Sequence, residues 1–369
     1  MRATRHRPEA VEERLADLPP SAKFVYTILQ YNGRMTQQEL IEETLLSPRT
    51  TRYAITKLED AELIDSRTAL QDARQTCYSL ASGLGTRTGR YANDVLVDRE
   101  WVEERREAFR ADDSRLRLVQ IGDAERRLPG STRLEPLNLH HVDQRGIPDR
   151  GRLESVLGEA GIGTDTRIVL YSANANREAA HAYWTLTYYG HGDCYLLDGG
   201  LEAWLEGGYP TVSGDDMPAF SPREYEVTRT IEQVRAYRDD VVHALTQDTA
   251  ILDVRTPPER RGDVDDEGWT AAQPSGYIPG SVNVPWRDVL EDDGRFKRRG
   301  ELEMLFEERG IDADTPVIVY CSIGERSALV WFALRELLGY TAVRNYDGSW
   351  IEWGNLVDAP VEHEPSGVD

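Results

Sequence analysis

The sequence predicts an α/β protein in which a small helical domain with a hairpin precedes two homologous parallel-sheet domains. Three observations support this fold class. A long stretch of the chain matches itself at a constant spacing of 149 positions, the distance between Tyr171 and Tyr320. In each copy an apolar β-type run is followed by a helical pattern, which is the order of parallel α/β units. Residues 20–80, in contrast, show a mostly helical pattern that ends in two β-type runs.

The first domain is predicted from its helix boundaries. Asn32-Gly33 ends one helix, Thr36 and Glu39 form a capping-box pattern for the next, and Ser47-Pro48 opens a third. Two β-type runs follow around a polar loop. These signals predict helices at 22–31, 37–43 and 48–61, and strands at 63–67 and 76–80.

This order of elements resembles the winged helix-turn-helix domains of MarR-like type. In that resemblance the third helix is the recognition helix, and Arg49, Thr50 and Arg52 would face the major groove of duplex DNA. The face expected to pack inward comprises Tyr53, Ala54, Ile55 and Leu58. Arg67 or Arg74 would add phosphate contacts from the wing.

The charge of this domain leaves a second interpretation open. Residues 1–95 contain 13 basic and 13 acidic residues, so the segment is neutral where a DNA-binding surface is usually basic. The domain could therefore serve for docking or dimerisation instead, and a homodimer is one of the partner states that the sequence leaves open. The predicted domains are 1–95, a linker helix at 96–111, a first α/β domain at 112–222, a second at 223–360, and a disordered tail at 361–369.

Many glycine, aspartate and tryptophan residues of one α/β copy recur at the same spacing in the other copy. Gly161-Ile162 matches Gly310-Ile311, Asp165-Thr166 matches Asp314-Thr315, Asp198-Gly199 matches Asp347-Gly348, and Trp204 matches Trp353. A constant spacing across so many positions indicates two homologous units.

The most informative residue of the chain is Cys321. It follows the apolar run 317–320 and precedes a loop with Gly324 and Arg326, after which a helical stretch begins at Ala328. A thiol that ends a buried strand and faces a helix N-terminus lies among unpaired backbone N–H groups at the positive end of the helix dipole. Such surroundings favour the reactive thiolate and suit an anionic substrate.

At this reactive position the two copies differ. The first copy has Ser172 in place of Cys321, Ala175 in place of Gly324, and Gln120 in place of Asp253. A serine here has no neighbouring base in the sequence, and a helix N-terminus alone does not produce an alkoxide. We therefore expect the first α/β domain to be inactive and the second to be catalytic.

Together these segments resemble the tandem rhodanese fold of thiosulfate sulfurtransferases. The resemblance is carried by residues 276–281, 321–327 and 346–350 in the second copy, and by 182–184 and 197–200 in the first. It covers roughly residues 110–360. It implies sulfur transfer from thiosulfate to a thiol or cyanide acceptor through a persulfide on Cys321, without a cofactor.

The resemblance also implies roles for the neighbours of Cys321. The loop that cradles the sulfur with its backbone N–H groups would consist of Ser322, Ile323, Gly324, Glu325, Arg326 and Ser327. Within it Arg326 would bind the anion, and Glu325 is expected to turn outward or to pair with an arginine. Asp253 would orient the loop, and Arg255 would support it or contact the substrate.

One departure from the family pattern concerns the substrate. Many thiosulfate-using members have a basic residue directly after the cysteine, where this chain has Ser322, and the Gly-Ser-Gly of mercaptopyruvate-using members is also absent. Because Arg326 still supplies a cation, thiosulfate is favoured over mercaptopyruvate.

The composition is strongly acidic and poor in lysine. The net charge is −22, and the three lysines are Lys23, Lys57 and Lys297. Such a composition resembles that of proteins from salt-accumulating archaea, where ionic strength screens self-repulsion. An ordinary acidic protein from a GC-rich genome is the alternative.

The remaining sequence features predict a cytoplasmic protein without a membrane span or a metal site. No apolar run approaches the roughly 18 residues of a membrane helix. Three cysteines do not form a disulfide framework, and Cys77 and Cys194 lie in β-type runs where packing is the expected role. His140-His141 has no partners at ligand spacing.

Two hypotheses for the function follow. In the first, the protein is a sulfurtransferase. In the second, it is a DNA-binding regulator whose α/β body senses sulfur species through Cys321. The two are compatible, and the sequence does not decide between them.

Overall fold

A computed structural model describes residues 14–15, 18–32, 35–61, 63–69, 72–80, 91–136, 146–213, 218–262 and 274–363. The chain divides into two compact units, Met1–Arg90 and Tyr91–Asp369. Within the described residues, none of the helices combines the length and apolar character that crossing a bilayer requires.

In its described residues, the first unit combines helices with a small antiparallel sheet. Its elements are α1 (Pro20–Asn32), β1 (Met35–Thr36), α2 (Gln37–Thr44), α3 (Pro48–Asp60), β2 (Ile64–Ala69) and β3 (Asp72–Leu80). The strands lie in the order β1-β3-β2, and the helices pack around Leu29, Leu40 and Leu58. The predicted winged-helix order is confirmed, with β1 as an additional short strand.

The helix starts follow the predicted capping signals. The Thr36 N–H donates to the Glu39 carboxylate at 2.6 Å, and the Glu39 N–H donates to the Thr36 hydroxyl at 3.2 Å. Ser47 caps α3 by accepting the N–H of Thr50 at 3.2 Å. Each cap satisfies a backbone donor that has no partner within its helix.

The packing face of α3 differs from the prediction at one position. Tyr53, expected to pack inward, is 49% exposed. The buried residues are Thr51, Ala54, Ile55 and Leu58. These follow the spacing of a single helical stripe, and Tyr53 lies beside it. Thr51 tolerates burial because its hydroxyl donates to the Ser47 carbonyl at 3.2 Å.

The second unit contains two five-stranded parallel sheets. The first half consists of β4 (Leu96–Val97), α4 (Arg99–Glu104), α5 (Arg106–Arg110), β5 (Leu116–Ile121), β6 (Arg126–Arg127), β7 (Ser131–Leu134), α6 (Arg150–Glu159), β8 (Arg167–Tyr171), α7 (Arg177–Tyr188), β9 (Cys194–Leu197), α8 (Gly200–Glu206) and β10 (Val212–Ser213). The second half consists of β11 (Arg235–Ala236), α9 (Arg238–Ala244), β12 (Ala250–Asp253), α10 (Pro257–Arg261), β13 (Val282–Asn283), α11 (Arg299–Glu307), β14 (Val317–Tyr320), α12 (Glu325–Phe332), β15 (Val343–Tyr346) and α13 (Ser349–Trp353). A π-helical segment, Ala333–Leu338, continues α12.

The two sheets have the same topology. Their strand orders are β4-β9-β8-β5-β7 and β11-β15-β14-β12-β13. The match extends to side chains, because the Tyr171 hydroxyl is hydrogen-bonded to Gln120 at 3.0 Å and the Tyr320 hydroxyl to Asp253 at 2.7 Å. Both pairs occupy corresponding positions in their sheets. The predicted tandem α/β fold is confirmed.

Residues 96–111, expected to form a linker helix, are part of this body. Leu96–Val97 form β4 at the edge of the first sheet, and Val102 and Phe109 of the two following helices are buried. The boundary predicted at residue 95 therefore shifts to residue 91. Because β4 has only two residues, it shows no alternation of apolar and polar side chains by which a strand could be predicted. The predicted domain boundary therefore lies too far along the chain.

Residues 91–93, here called the clasp, are fixed to the end of the π-helical segment. The N–H groups of Ala92 and Asn93 donate to the carbonyls of Leu337 and Glu336 at 2.7 and 3.0 Å. The Asn93 amide also donates to the Glu336 carboxylate at 3.0 Å, and the Tyr91 hydroxyl donates to the Lys297 carbonyl at 2.8 Å. These bonds satisfy carbonyls at a helix end.

The two halves of the body share a hydrophobic core, in which α7 packs against α12. The rings of Tyr183 and Phe332 meet edge to face with centroids 4.8 Å apart. The helix that begins at the reactive loop is thus packed on its counterpart in the first half.

The end of the described chain is also ordered by pairing. Glu362 forms a β-bridge with Tyr277 through two backbone hydrogen bonds of 2.9 Å. The predicted disordered tail is therefore wrong for residues 361–363, whereas residues 364–369 lie outside the described residues.

Candidate active site

Cys321 directly follows β14 and is fully buried. Its sulfur accepts the N–H of Gly324 at 3.1 Å, and the hydroxyl of Ser327 lies 3.6 Å from it. Gly324 is the residue before α12, so this donor lies at the positive end of the helix dipole. A backbone N–H at a helix start is the kind of donor that the strand–cysteine–helix pattern predicts beside the sulfur.

Gly324 is required by two geometric constraints. Its φ is +97°, a conformation that residues with a side chain rarely adopt. A methyl group at this position would lie 2.8 Å from the carbonyl oxygen of Asp347. Glycine therefore lets the reactive loop approach the chain segment that follows β15.

The last residue of β15 and the residues after it, 346–351, anchor the reactive loop. The N–H groups of Trp350 and Ile351 donate to the carbonyls of Cys321 and Ser322, both at 3.0 Å. The Ser349 hydroxyl accepts the N–H of Cys321 at 3.2 Å and lies 4.0 Å from its sulfur. Ser349 itself has a φ of +52°, which is unusual for serine. Ser349 has no role predicted from the sequence, although it lies in a segment that carries the family resemblance.

Arg326 forms a bidentate ion pair with Glu259 at the reactive loop. The two hydrogen bonds measure 2.9 and 2.8 Å, and the side chains are 7% and 8% exposed. The same guanidinium donates to the hydroxyl of Ser322 at 2.7 Å. Burial opposes the charge of Glu259, but the hydrogen bonds and charge of Arg326 hold the pKa of that carboxyl below its usual value.

Glu259 was missed by the sequence analysis. A local signal exists, because Thr256 and Glu259 form a capping box at the start of α10, with the Thr256 N–H donating to the carboxylate at 2.9 Å. This pattern predicts a carboxylate fixed at a helix start. It does not reveal that the partner is Arg326, which lies 67 positions further along the chain.

Asp253 and Arg255 lie on the opposite face of the second sheet from Cys321. Successive residues of a strand point to opposite faces, and Asp253 accepts the hydroxyl of Tyr320, the residue before Cys321. Arg255 donates to Asp253 at 3.1 and 2.8 Å, and both side chains are buried. Burial opposes the charge of Arg255, but the Asp253 carboxylate keeps its pKa above the usual value.

The role of Arg255 is therefore a supporting one. Its guanidinium lies 4.5 Å from the ring centre of Trp350. The backbone N–H of the same Trp350 donates to the Cys321 carbonyl. The described partners of Arg255 are Asp253, the Gly276 carbonyl and this ring, which are the contacts of a supporting residue. A direct contact of Arg255 with the substrate stays a prediction. The remaining loop residues, Ile323 and Glu325, are both half-buried.

In the first half of the body, the loop that corresponds to the reactive loop is occupied by the side chain of one of its own residues, Asn176. The Asn176 carboxamide accepts the N–H of Ser172 at 2.9 Å, the role that the Ser349 hydroxyl has at Cys321. The position matching Ser349 is Gly200, where a methyl group would lie 2.5 Å from the Asn176 oxygen. The loop residues Asn174, Ala175 and Asn176 all have positive φ. In the loop after Cys321, in contrast, Gly324 is the residue with a positive φ.

The residues predicted to contact DNA lie at the start of α3. Arg49 and Arg52 are exposed, and Thr50 is half-buried. The Thr50 hydroxyl is 2.8 Å from that of Ser47, so it is engaged with the helix cap. The side chains of Arg67 and Arg74, expected in the wing, lie outside the described residues.

Of the other cysteines and histidines considered in the sequence, the structure describes the side chain of Cys194. Cys194 is buried, and this burial raises the pKa of its thiol well above the usual value, as fits a packing role. The Cys77 side chain and His140-His141 lie outside the described residues. Among the residues that the structure does describe, no group of three potential ligands is arranged to hold a metal ion.

Comparison with known proteins identifies the families to which the two parts of the chain are similar. The chain matches the rhodanese-like domain family over residues 53–207 and 238–356, and the winged helix-turn-helix DNA-binding family over residues 25–65. A Haloferax volcanii protein that is provisionally named a thiosulfate sulfurtransferase is 42% identical over 280 residues, 74% of this chain and 97% of that protein. The sulfur carrier protein TtuD of Thermus thermophilus is 37% identical over 281 residues, 73% of this chain and 96% of that protein.

Solved structures share the fold. The anaerobic ergothioneine biosynthesis enzyme from Chlorobium limicola is 23% identical, with a TM-score of 0.64 over 73% of this chain and 70% of that chain. The family match and the relatives support a sulfurtransferase-type function. The chain belongs to the rhodanese family, with a winged helix-turn-helix domain ahead of a tandem rhodanese-like body.

Proposed function

We propose that the protein transfers sulfane sulfur from thiosulfate to a thiophilic acceptor through a persulfide on Cys321. The observation that supports this most is the hydrogen bond from the Gly324 N–H to the buried sulfur, at the junction of β14 and α12. The provisional name of the Haloferax relative points to the same donor. The reaction would take place in the cytoplasm.

The reaction consists of two displacements at sulfur. The Cys321 thiolate attacks the outer sulfur of thiosulfate, the S–S bond of thiosulfate breaks, and sulfite leaves with the electron pair. A thiolate or cyanide acceptor then attacks the outer sulfur of the persulfide, and Cys321 leaves as a thiolate. No oxidant or cofactor is required, because a sulfur atom changes its partner without net redox change. The Gly324 N–H and the start of α12 would stabilise the anionic sulfur in both steps.

The test is a sulfite-release assay with thiosulfate and cyanide, at high salt and on the full chain. Saturable release of sulfite and mass-spectrometric detection of one added sulfur on Cys321 are expected. 3-Mercaptopyruvate serves as the competing donor and is expected to react more slowly. Absence of both sulfite and the added sulfur would reject thiosulfate as the donor.

Arg326→Ala is expected to raise the KM for thiosulfate, with a smaller fall in kcat. The variant breaks the ion pair and leaves the Glu259 carboxylate as an unpaired negative charge that repels the dianion, an effect on the order of 1.5–3 kcal/mol. Steady-state kinetics check this, with thermal unfolding to confirm that the variant folds. Kinetic constants equal to those of wild type would make Arg326 purely structural.

We propose as a second function that the first unit binds duplex DNA, so that the protein acts as a regulator whose body senses sulfur species. The observation in favour is the pair of exposed arginines, Arg49 and Arg52, on a helix whose opposite face is buried. Because the segment 1–95 carries no net charge, long-range attraction to DNA should be weak and base contacts should carry more of the affinity.

We therefore expect weak, sequence-dependent binding of duplex DNA by a dimer. The measurement is a mobility shift with DNA from upstream of the protein's own gene, at low salt. Arg49→Ala/Arg52→Ala should lose the shift, whereas Arg110→Ala, which removes an arginine from the body, should keep it. If wild type produces no shift at low salt, the domain serves for docking or dimerisation.

A further inference from the structure

The reactive loop adjoins a pair of charges that cancel each other. Ser322, the residue after Cys321, accepts a hydrogen bond from Arg326 at 2.7 Å, and its hydroxyl lies 3.4 Å from the Glu259 carboxylate. The pair is therefore joined to the loop that holds the reactive sulfur. Since both side chains are almost fully buried, their charges act through poorly hydrated protein, where Coulomb interactions are strong.

Glu259 changes the electrostatics that Arg326 alone would give. An unpaired arginine would add one positive charge at Ser322, the residue after Cys321, and would favour donors with the most negative charge. Paired with Glu259 in a bidentate geometry, Arg326 contributes almost no net charge. The described donors closest to the sulfur itself are the Gly324 N–H at 3.1 Å and the Ser327 hydroxyl at 3.6 Å, which are uncharged and act at short range.

We infer that Glu259 is a specificity-determining residue that lowers the preference of the site for doubly charged sulfur donors over singly charged ones. This inference rests on the proposed sulfur transfer at Cys321. Singly charged donors, such as organic thiosulfonates and persulfides, then compete effectively with thiosulfate. Removing the negative charge of Glu259 shifts the preference toward the dianion, and removing the positive charge of Arg326 shifts it away.

Thiosulfate and methanethiosulfonate are a matched pair of probes for this property. Both carry a sulfane sulfur on an oxidised sulfur, but a methyl group replaces one charged oxygen in methanethiosulfonate, which is singly charged. With either donor the Cys321 thiolate attacks the outer sulfur and the S–S bond breaks. Sulfite leaves from thiosulfate, and methanesulfinate leaves from methanethiosulfonate, each with the electron pair. A change in the reactivity of the Cys321 thiolate alters both kcat/KM values by the same factor and leaves their ratio unchanged. A change in the ratio between variants therefore measures how strongly the site favours the doubly charged donor.

The experiment measures this ratio, thiosulfate over methanethiosulfonate, at constant ionic strength in four full-length proteins. These are wild type, Glu259→Gln, Arg326→Gln and the double variant. We expect the ratio to rise about tenfold in Glu259→Gln, to fall about tenfold in Arg326→Gln, and to return near the wild-type value in the double variant. A merely structural role of Glu259 would change both donors equally and leave the ratio constant.

The outcomes separate this inference from the function on which it rests. A ratio that is the same in all four proteins, with wild type active, overturns the role of Glu259 and leaves sulfur transfer intact. A wild type that takes sulfur from neither donor overturns the proposed function itself. If thermal unfolding shows that one single variant does not fold, the other single variant and the double variant still predict different ratios.

Discussion

Cys321→Ser is expected to abolish sulfur transfer, with a loss of turnover on the order of 10⁴-fold or more. The described hydrogen-bond partners of the sulfur are the Gly324 N–H and the hydroxyls of Ser327 and Ser349, none of which is a general base. A serine in this place would stay protonated, because hydrogen-bond donors alone do not ionise an alcohol. Sulfite release and the added mass of a persulfide sulfur measure the effect.

The matched control is Ser172→Ala, in the corresponding loop of the first half. Ser172 accepts only a helix N–H, that of Ala179 at 3.2 Å, among the described contacts of its hydroxyl. We therefore expect turnover close to that of wild type and a small loss of stability. The prediction fails if Cys321→Ser turns over normally and the extra sulfur is found on Cys77 or Cys194.

Gly324→Ala is expected to lower turnover on the order of 10²-fold and to destabilise the protein by roughly 1–3 kcal/mol. The backbone of the substituted residue would have to adopt a φ of +97°, and its methyl group would meet the Asp347 carbonyl oxygen at 2.8 Å. Relief requires the loop to move away from residues 346–351, and this motion shifts the N–H that now donates to the Cys321 sulfur. The effect should therefore fall mainly on kcat.

Gly300→Ala provides the comparison for this variant. Gly300 lies in α11, and a methyl group there meets nothing within 4 Å. Because alanine is the better helix former, this change should leave activity intact and stabilise the protein by about 0.5–1 kcal/mol. Thermal unfolding and sulfite release on both variants make the comparison. Equal activity of Gly324→Ala and wild type would show that the loop tolerates an altered approach to Asp347.

The fold and the position of the reactive residue could be predicted from the sequence because their signals are local or repeated. The capping box at Thr36 is contained in four residues, and the 149-residue spacing places Cys321 opposite Ser172 in two copies of one pattern. Strand, cysteine and helix are consecutive in the chain, so the environment of the sulfur follows from their order.

The features that escaped prediction depend on contacts between distant residues or on very short elements. The partner of Arg326 is fixed by the packing of α10 against the loop, and no pattern within either segment specifies it. In the loop after Ser172, the Asn176 side chain fits only because Gly200 has no side chain. The two residues are distant in the sequence, so this contact cannot be predicted from a local pattern. The edge strand β4 has two residues, too few for a period.

The clasp determines where this protein can be divided. Three of its hydrogen bonds end on Glu336 and Leu337, at the far end of the helix that starts at the reactive loop. Deleting residues 1–90 keeps these bonds, whereas deleting residues 1–95 removes them, at about 1 kcal/mol for each bond. A division at Tyr91 therefore keeps the hydrogen bonds that support the far end of the helix carrying the reactive loop, and a different N-terminal domain joined there would leave those bonds in place.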